Sequence, residues 1–136
     1  MKRTILAVLL AASVTMPAQA QEQQWVPIAE AAGGAIWEMR KGSLQLLTGG
    51  AQTLVHMVTR KRWLDGRGSI AFERKLVSVD DCNAGFGKVV TVSLDIKQRL
   101  YDNDFITDGG TVTSALAEAL CLGGAYLQRT QRESSL

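Results

Sequence analysis

The sequence predicts an α+β fold, a single antiparallel sheet of about six strands with one C-terminal helix packed on one face. Three observations carry this reading. Glycines at 33–34, 42, 49–50, 66, 68, 85, 87, 109–110 and 123–124 cut the chain into short apolar segments rich in β-branched and aromatic residues. Several of those segments alternate with period two, the pattern of strands with one buried face. Only one stretch, near the C-terminus, repeats its apolar residues at helical spacing.

The strand segments are Trp25–Ile28, Ala35–Arg40, Leu44–Leu47, Thr53–Arg60, Ser69–Val79, Lys88–Asp95 and Arg99–Ile106. Ala35, Trp37 and Met39 oppose Ile36, Glu38 and Arg40. Ile70, Phe72, Arg74 and Leu76 oppose Ser69, Ala71, Glu73 and Lys75. Val90, Val92 and Leu94 oppose Val89, Thr91, Ser93 and Asp95. The connections are only a few residues long, which favours antiparallel hairpins, because parallel neighbours need long crossovers. Trp25 and Trp37 fall at strand positions where tryptophan is usually core. The helix is set by Val112, Ala115, Leu116, Ala119 and Leu120, with Thr111 or Thr113 as cap and Gly123-Gly124 as the expected stop. Beyond it, residues 130–136 are polar and unpatterned, as in a disordered tail.

Residues 1–20 read as a cleaved export signal. Lys2 and Arg3 precede an apolar run from Ile5 to Val14, and Ala18-Gln19-Ala20 is a small-x-small site before Gln21. The apolar run is shorter than the roughly 20 residues of a spanning helix, so no integral membrane span is expected. No cysteine lies near the Ala20-Gln21 junction to accept a lipid, so a lipoprotein is not expected. The expected location is the periplasm, the outer cell surface or the medium. Of 15 basic and 13 acidic residues, two basic ones leave with the signal, so the remainder carries no net charge. That balance argues against nucleic acid as a partner, since phosphate neutralisation needs a cationic excess.

The sequence holds two cysteines, Cys82 and Cys121. In an exported protein the leading reading is a Cys82–Cys121 disulfide tethering the helix to the sheet. Two free thiols or a redox pair are the alternatives, although a redox pair would normally show C-x-x-C spacing. Cys121 falls at the edge of the apolar helix stripe, beside Ala117, where a helix lying on a sheet can still touch a strand.

An export signal, the early tryptophan of QQWVPI, a hairpin-rich middle, VSVDDCNAGFG and the closing TVTSALAEALC together resemble the surface-adhesin protein E family. The likeness runs from about Gln24 to Leu122 and marks residues 21–129 as one surface-adhesin-like domain. It implies a small exported bacterial domain with an antiparallel sheet and a disulfide-bonded C-terminal helix. The best-known member of that family is displayed as a lipoprotein and binds host matrix and serum proteins.

Catalytic and metal chemistry find little support. The single histidine, His56, lies in the alternating segment TLVHMVTR, without a G-x-S-x-G nucleophile elbow elsewhere. One histidine with two disulfide-bonded cysteines does not make an ordinary zinc site. Asp102, Asp104 and Asp108 in YDNDFITDGG invite calcium, but Phe105 and Ile106 stand where a calcium loop needs oxygen donors. Asp80 and Asp81 read as turn residues. No cofactor, metal or enzymatic activity is expected.

The strongest surface candidate is TRKRWLDGRGS. Arg60, Lys61, Arg62 and Trp63 run into an Asp65-Gly66 turn followed by Arg67, and on a hairpin tip they would form a candidate ligand-binding patch for a polyanion. The competing reading is a solvated loop whose tryptophan folds back on the sheet. The expected function is a non-enzymatic exported binding module, adhesin-like by resemblance, for a host protein or polyanion. A periplasmic accessory or inhibitor protein that binds another envelope protein is the alternative. An exposed sheet edge also allows a homodimer.

Overall fold

The computed structural model describes residues 24–136, and the expected export signal lies outside them. Seven strands form one antiparallel sheet: β1 (Trp25–Glu30), β2 (Ala35–Arg40), β3 (Gln45–Leu47), β4 (Leu54–Trp63), β5 (Ala71–Ser78), β6 (Phe86–Ser93) and β7 (Leu100–Ile106). Two helices complete the described residues, α1 (Val79–Ala84) and α2 (Val112–Ser134). The strand order is β1-β2-β4-β5-β6-β7, with β3 also paired to β4. One edge of the ten-residue β4 therefore holds two strands end to end: β2 against Thr59–Trp63 and β3 against Leu54–His56. Its other edge pairs with β5 from Leu54 to Lys61. That makes β4 the spine, which suits its β-branched LVHMVT half.

Helix α2 covers one face. Leu116, Ala117 and Leu120 pack on Val55 and Met57 of β4, Val77 of β5, Val89 of β6 and Phe105 of β7, with Trp37 and Met39 of β2 at the margin. Thr111 caps the helix, its hydroxyl accepting the Ser114 N–H at 3.1 Å. Cys121, at the edge of the buried stripe, is bonded to Cys82 as predicted. Closing a loop of 39 residues stabilises the fold by about 4 kcal/mol in the chain-entropy model.

Three local expectations are corrected. Cys82 does not end a strand: the Ser78 hydroxyl accepts the Asp81 N–H at 3.0 Å and starts α1, which Gly85 closes in the left-handed region. Gly123-Gly124 does not stop α2, which runs on to Ser134, so residues 130–134 of the expected tail are helical. The glycines are there because the helix touches the sheet at that point. A Cβ on Gly123 would collide with the Leu44 side chain, and one on Gly124 would lie 2.5 Å from Val55 Cγ2. Trp25 is not in the helix-side core but on the opposite face, against Phe72.

Alternation also proves blind to which face is covered. The more apolar sets of β5 and β6, among them Phe72, Leu76, Val90 and Val92, face away from α2. Glu73, Lys75 and Thr91 face the helix side and are buried. They pair with one another there. Lys75 Nζ donates to Thr91 Oγ1 at 2.9 Å and forms an ion pair with Glu73 Oε2 at 2.7 Å, while the Tyr101 hydroxyl donates to Glu73 Oε1 at 3.0 Å. Partial burial and the Glu73 carboxylate push the Tyr101 pKa up to about 12. Among the described residues no helix is long and apolar enough to cross a membrane.

Replacing glycine by alanine inside a helix ordinarily stabilises it by about 1 kcal/mol. At position 124 the sign should reverse, because Val55 is 1% exposed and has nowhere to go. Gly124→Ala is expected to lose about 1–3 kcal/mol in denaturant unfolding, the range for overpacking. A gain would mean that α2 lifts off the sheet freely.

Candidate functional site

The basic segment singled out in the sequence lies on β4 and the turn after it, and the pleat divides it. Lys61 and Trp63 project on the helix side of the sheet, Arg60 and Arg62 on the open side, and Arg67 sits on the turn. On the helix side, Lys61 Nζ is 5.0 Å from the Trp37 ring centre and 5.3 Å from that of Trp63. The Arg67 guanidinium stacks over Trp63 at 4.4 Å and donates to the Gly33 carbonyl at 2.7 Å. The Asp65-Gly66 turn closes with the Gly66 N–H on the Trp63 carbonyl at 3.0 Å. Trp63 thus folds back against its own turn.

On the open side, Arg60 and Arg62 converge on one carboxylate. Glu38 Oε1 accepts Arg60 Nε–H at 2.9 Å and Arg62 Nε–H at 2.6 Å, and Arg62 Nη2 reaches Oε2 at 3.4 Å. Burial works to raise the Glu38 pKa, but its bonds to Arg62 and Arg60 and their charges outweigh it, and the net value lies below 4.5. Arg60 also stacks on Trp25 at 4.7 Å, and Trp25 meets Phe72 with ring centres 5.9 Å apart. The five candidate residues are therefore brought into two separate clusters on opposite faces.

A further cluster on the open side was not singled out from sequence. The β2–β3 turn, β4 and β5 surround a cavity of about 360 Å³ lined by Arg40, Lys41, Ser43, Gln45, His56 and Arg74. The three cations are exposed at its rim, while His56 is 7% exposed. Among the described residues neither imidazole nitrogen makes a hydrogen bond of good geometry, a weaker contact with the Ser43 backbone remaining. The Ser43 hydroxyl is already committed, donating to the Arg40 carbonyl at 2.7 Å and accepting the Val58 N–H at 3.0 Å. Burial lowers the His56 pKa and the Arg74 charge lowers it further, with the Ser43 backbone acting in the opposite sense. The ring is consequently neutral near pH 7 and presents one N–H and one lone pair. Only strand register assembles this group: His56 pairs with Gln45 of β3 and Leu76 of β5, and Val58 with Arg74.

The acidic candidates are placed elsewhere. Asp104 and Asp102 of β7 flank Lys88 Nζ at 2.9 and 3.5 Å, and Asp108 lies in the turn before α2. Asp80 and Asp81 occupy the first turn of α1, where Asp81 accepts the Lys88 N–H at 3.1 Å.

Glu38→Gln removes the charge that two guanidiniums share and should cost about 3 kcal/mol, as for one partner of a buried ion pair. Unchanged denaturant stability would mean that the group is effectively solvated. His56 predicts a pH dependence of opposite origin. Its folded pKa lies below 6.5, so the unfolded chain takes up the proton first as pH falls. Stability present above that value should decline from about pH 6.5 downward, and His56→Gln should flatten the decline. Equal slopes in urea unfolding of the two proteins would exclude the histidine as its source. Compared with protein-family models, curated proteins and solved structures, the chain has no significant match among any of them.

Proposed function

We propose that this chain is a non-enzymatic exported binding module, adhesin-like, that contacts a macromolecular ligand through the sheet face left open by α2. The observation that supports it is the composition of that face. Phe72, Phe86 and Leu100 stand exposed there beside Leu76, Val90 and Val92, next to the arginines of β2, β4 and β5. Exposed apolar surface rimmed by charge is the usual mark of an interaction site. Arginine and aromatic side chains are also the residues enriched where binding energy concentrates. The resemblance to surface-adhesin protein E points the same way, toward a host matrix or serum protein or a polyanion as the partner. The site is then the open face of the sheet, with Arg60 and Arg62 as part of its scaffold.

Location separates this reading from a periplasmic accessory or inhibitor protein. Protease added to intact cells, with the endogenous protein followed by antibody, is expected to degrade it. Protection until the outer membrane is permeabilised would overturn surface adhesion and move the partner inside the envelope.

A further inference from the structure

The cavity around His56 has the features of a site for one particular chemistry. Arg40 comes from the end of β2, Lys41 from the following turn and Arg74 from β5, so three cations approach from separate elements. Among the described residues none of the three is in a salt bridge, and no acidic side chain lines the cavity. His56 is more than nine-tenths buried, and among the described residues neither ring nitrogen makes a hydrogen bond of good geometry. An unsatisfied buried donor costs about 1–3 kcal/mol, so a ligand oxygen accepting its N–H gains what the free protein lacks. Guanidinium forks match paired oxygens, whereas a monatomic anion would use one donor each and leave most of about 360 Å³ unfilled.

An aromatic platform adjoins the cavity. Trp25 is the cross-strand partner of Arg40. Phe72 lies two residues before Arg74 on the same face, is 45% exposed, and is braced by Trp25 at 5.9 Å. A cationic pocket beside an exposed ring suits a polar ester on a ring-shaped body with apolar C–H faces.

We propose that this cavity binds the phosphate or sulfate group of an anionic saccharide, with Arg40, Lys41, Arg74 and the His56 ring on its oxygens and the sugar against Phe72. This names the ligand chemistry of the open face, and it rests on the binding-module reading only for the saccharide's origin. Anion binding also feeds back on His56. The charged groups around that ring are Arg40, Lys41 and Arg74, all cationic, so an oxyanion among them offsets the Arg74 charge that adds to burial in lowering its pKa, and its titration midpoint should rise.

The test is a nuclear magnetic resonance titration of uniformly nitrogen-15-labelled protein with inorganic sulfate, with a sulfated disaccharide, and with chloride at matched ionic strength. Saturable shifts of the His56 ring and the Gly42 and Ser43 amides are expected with both sulfates and not with chloride. The disaccharide should bind more tightly, Arg74→Ala should weaken both sulfates by at least about tenfold, and Phe72→Ala should remove only the disaccharide's advantage. Arg74 and Phe72 are both exposed, so neither change threatens the fold. Linear shifts spread over every basic residue and untouched by Arg74→Ala would overturn the site. Sulfate binding without a saccharide advantage would overturn the sugar assignment, as would Arg74-dependent binding to phosphatidic acid vesicles with none to the disaccharide. Saccharide binding by a protein protected from protease on intact cells would uphold the site and overturn only surface adhesion.

Discussion

One helix lies on seven strands, and everything else follows from the face it cannot reach. Helix α2 seals Val55, Met57, Val77, Val89 and Phe105 from one side only. It comes close enough to do so because Gly123 and Gly124 let its backbone rest against Leu44 and Val55. The Cys82–Cys121 bond then fixes the helix through α1. A single-sheet domain covered on one side must meet solvent or a partner with the other. This one presents there a surface that is neither uniformly polar nor closed off.

That surface is organised from its β1–β4 half. Two arginines directed at one buried carboxylate hold β2 and β4 in lateral register, and Arg60 carries the order on to Trp25 by stacking. The result is a rigid floor rather than a mobile cationic tip. Arg60 and Arg62 are engaged in holding that floor, while Arg40, Lys41 and Arg74 line a cavity beside it. Side chains on paired strands are better preorganised than side chains on loops, so this half of the face can present a fixed constellation.

Much of the fold was legible in the sequence. Glycine punctuation and period-two alternation marked the segments of all seven strands, one more than the sheet of about six that was expected, and the 3.6-residue stripe located α2. What escaped depended on distant contacts. The apolar sides of β5 and β6 were visible, but nothing local revealed that Glu73, Lys75 and Thr91 would be the buried set, since their mutual pairing exists only after β5 and β6 align. Helix α1 did leave a signal, the S-V-D-D start and the glycine at 85, but the valines around it read as strand. The basic run illustrates the opposite error. Four consecutive residues on a strand alternate faces, so contiguity in sequence was itself a reason to expect division in space. The His56 group lay hidden because only register brings His56 and Arg74 to the 40–45 stretch.

His56 also shows how stability and binding are set against each other on this face. A ring whose nitrogens make no well-formed hydrogen bond among the described residues is a poor choice for a position that only needs filling, since valine or leucine would pack there without desolvating a polar atom. The fold tolerates it because helix burial and the disulfide, together worth more than the roughly 1–3 kcal/mol of one unmet donor, are concentrated on the other face. Burial and Arg74 keep the ring uncharged, so three cations and a neutral donor coexist where a fourth cation would add repulsion. The same arrangement is stable without a ligand and complementary to an oxyanion, which an apolar residue at position 56 would not be.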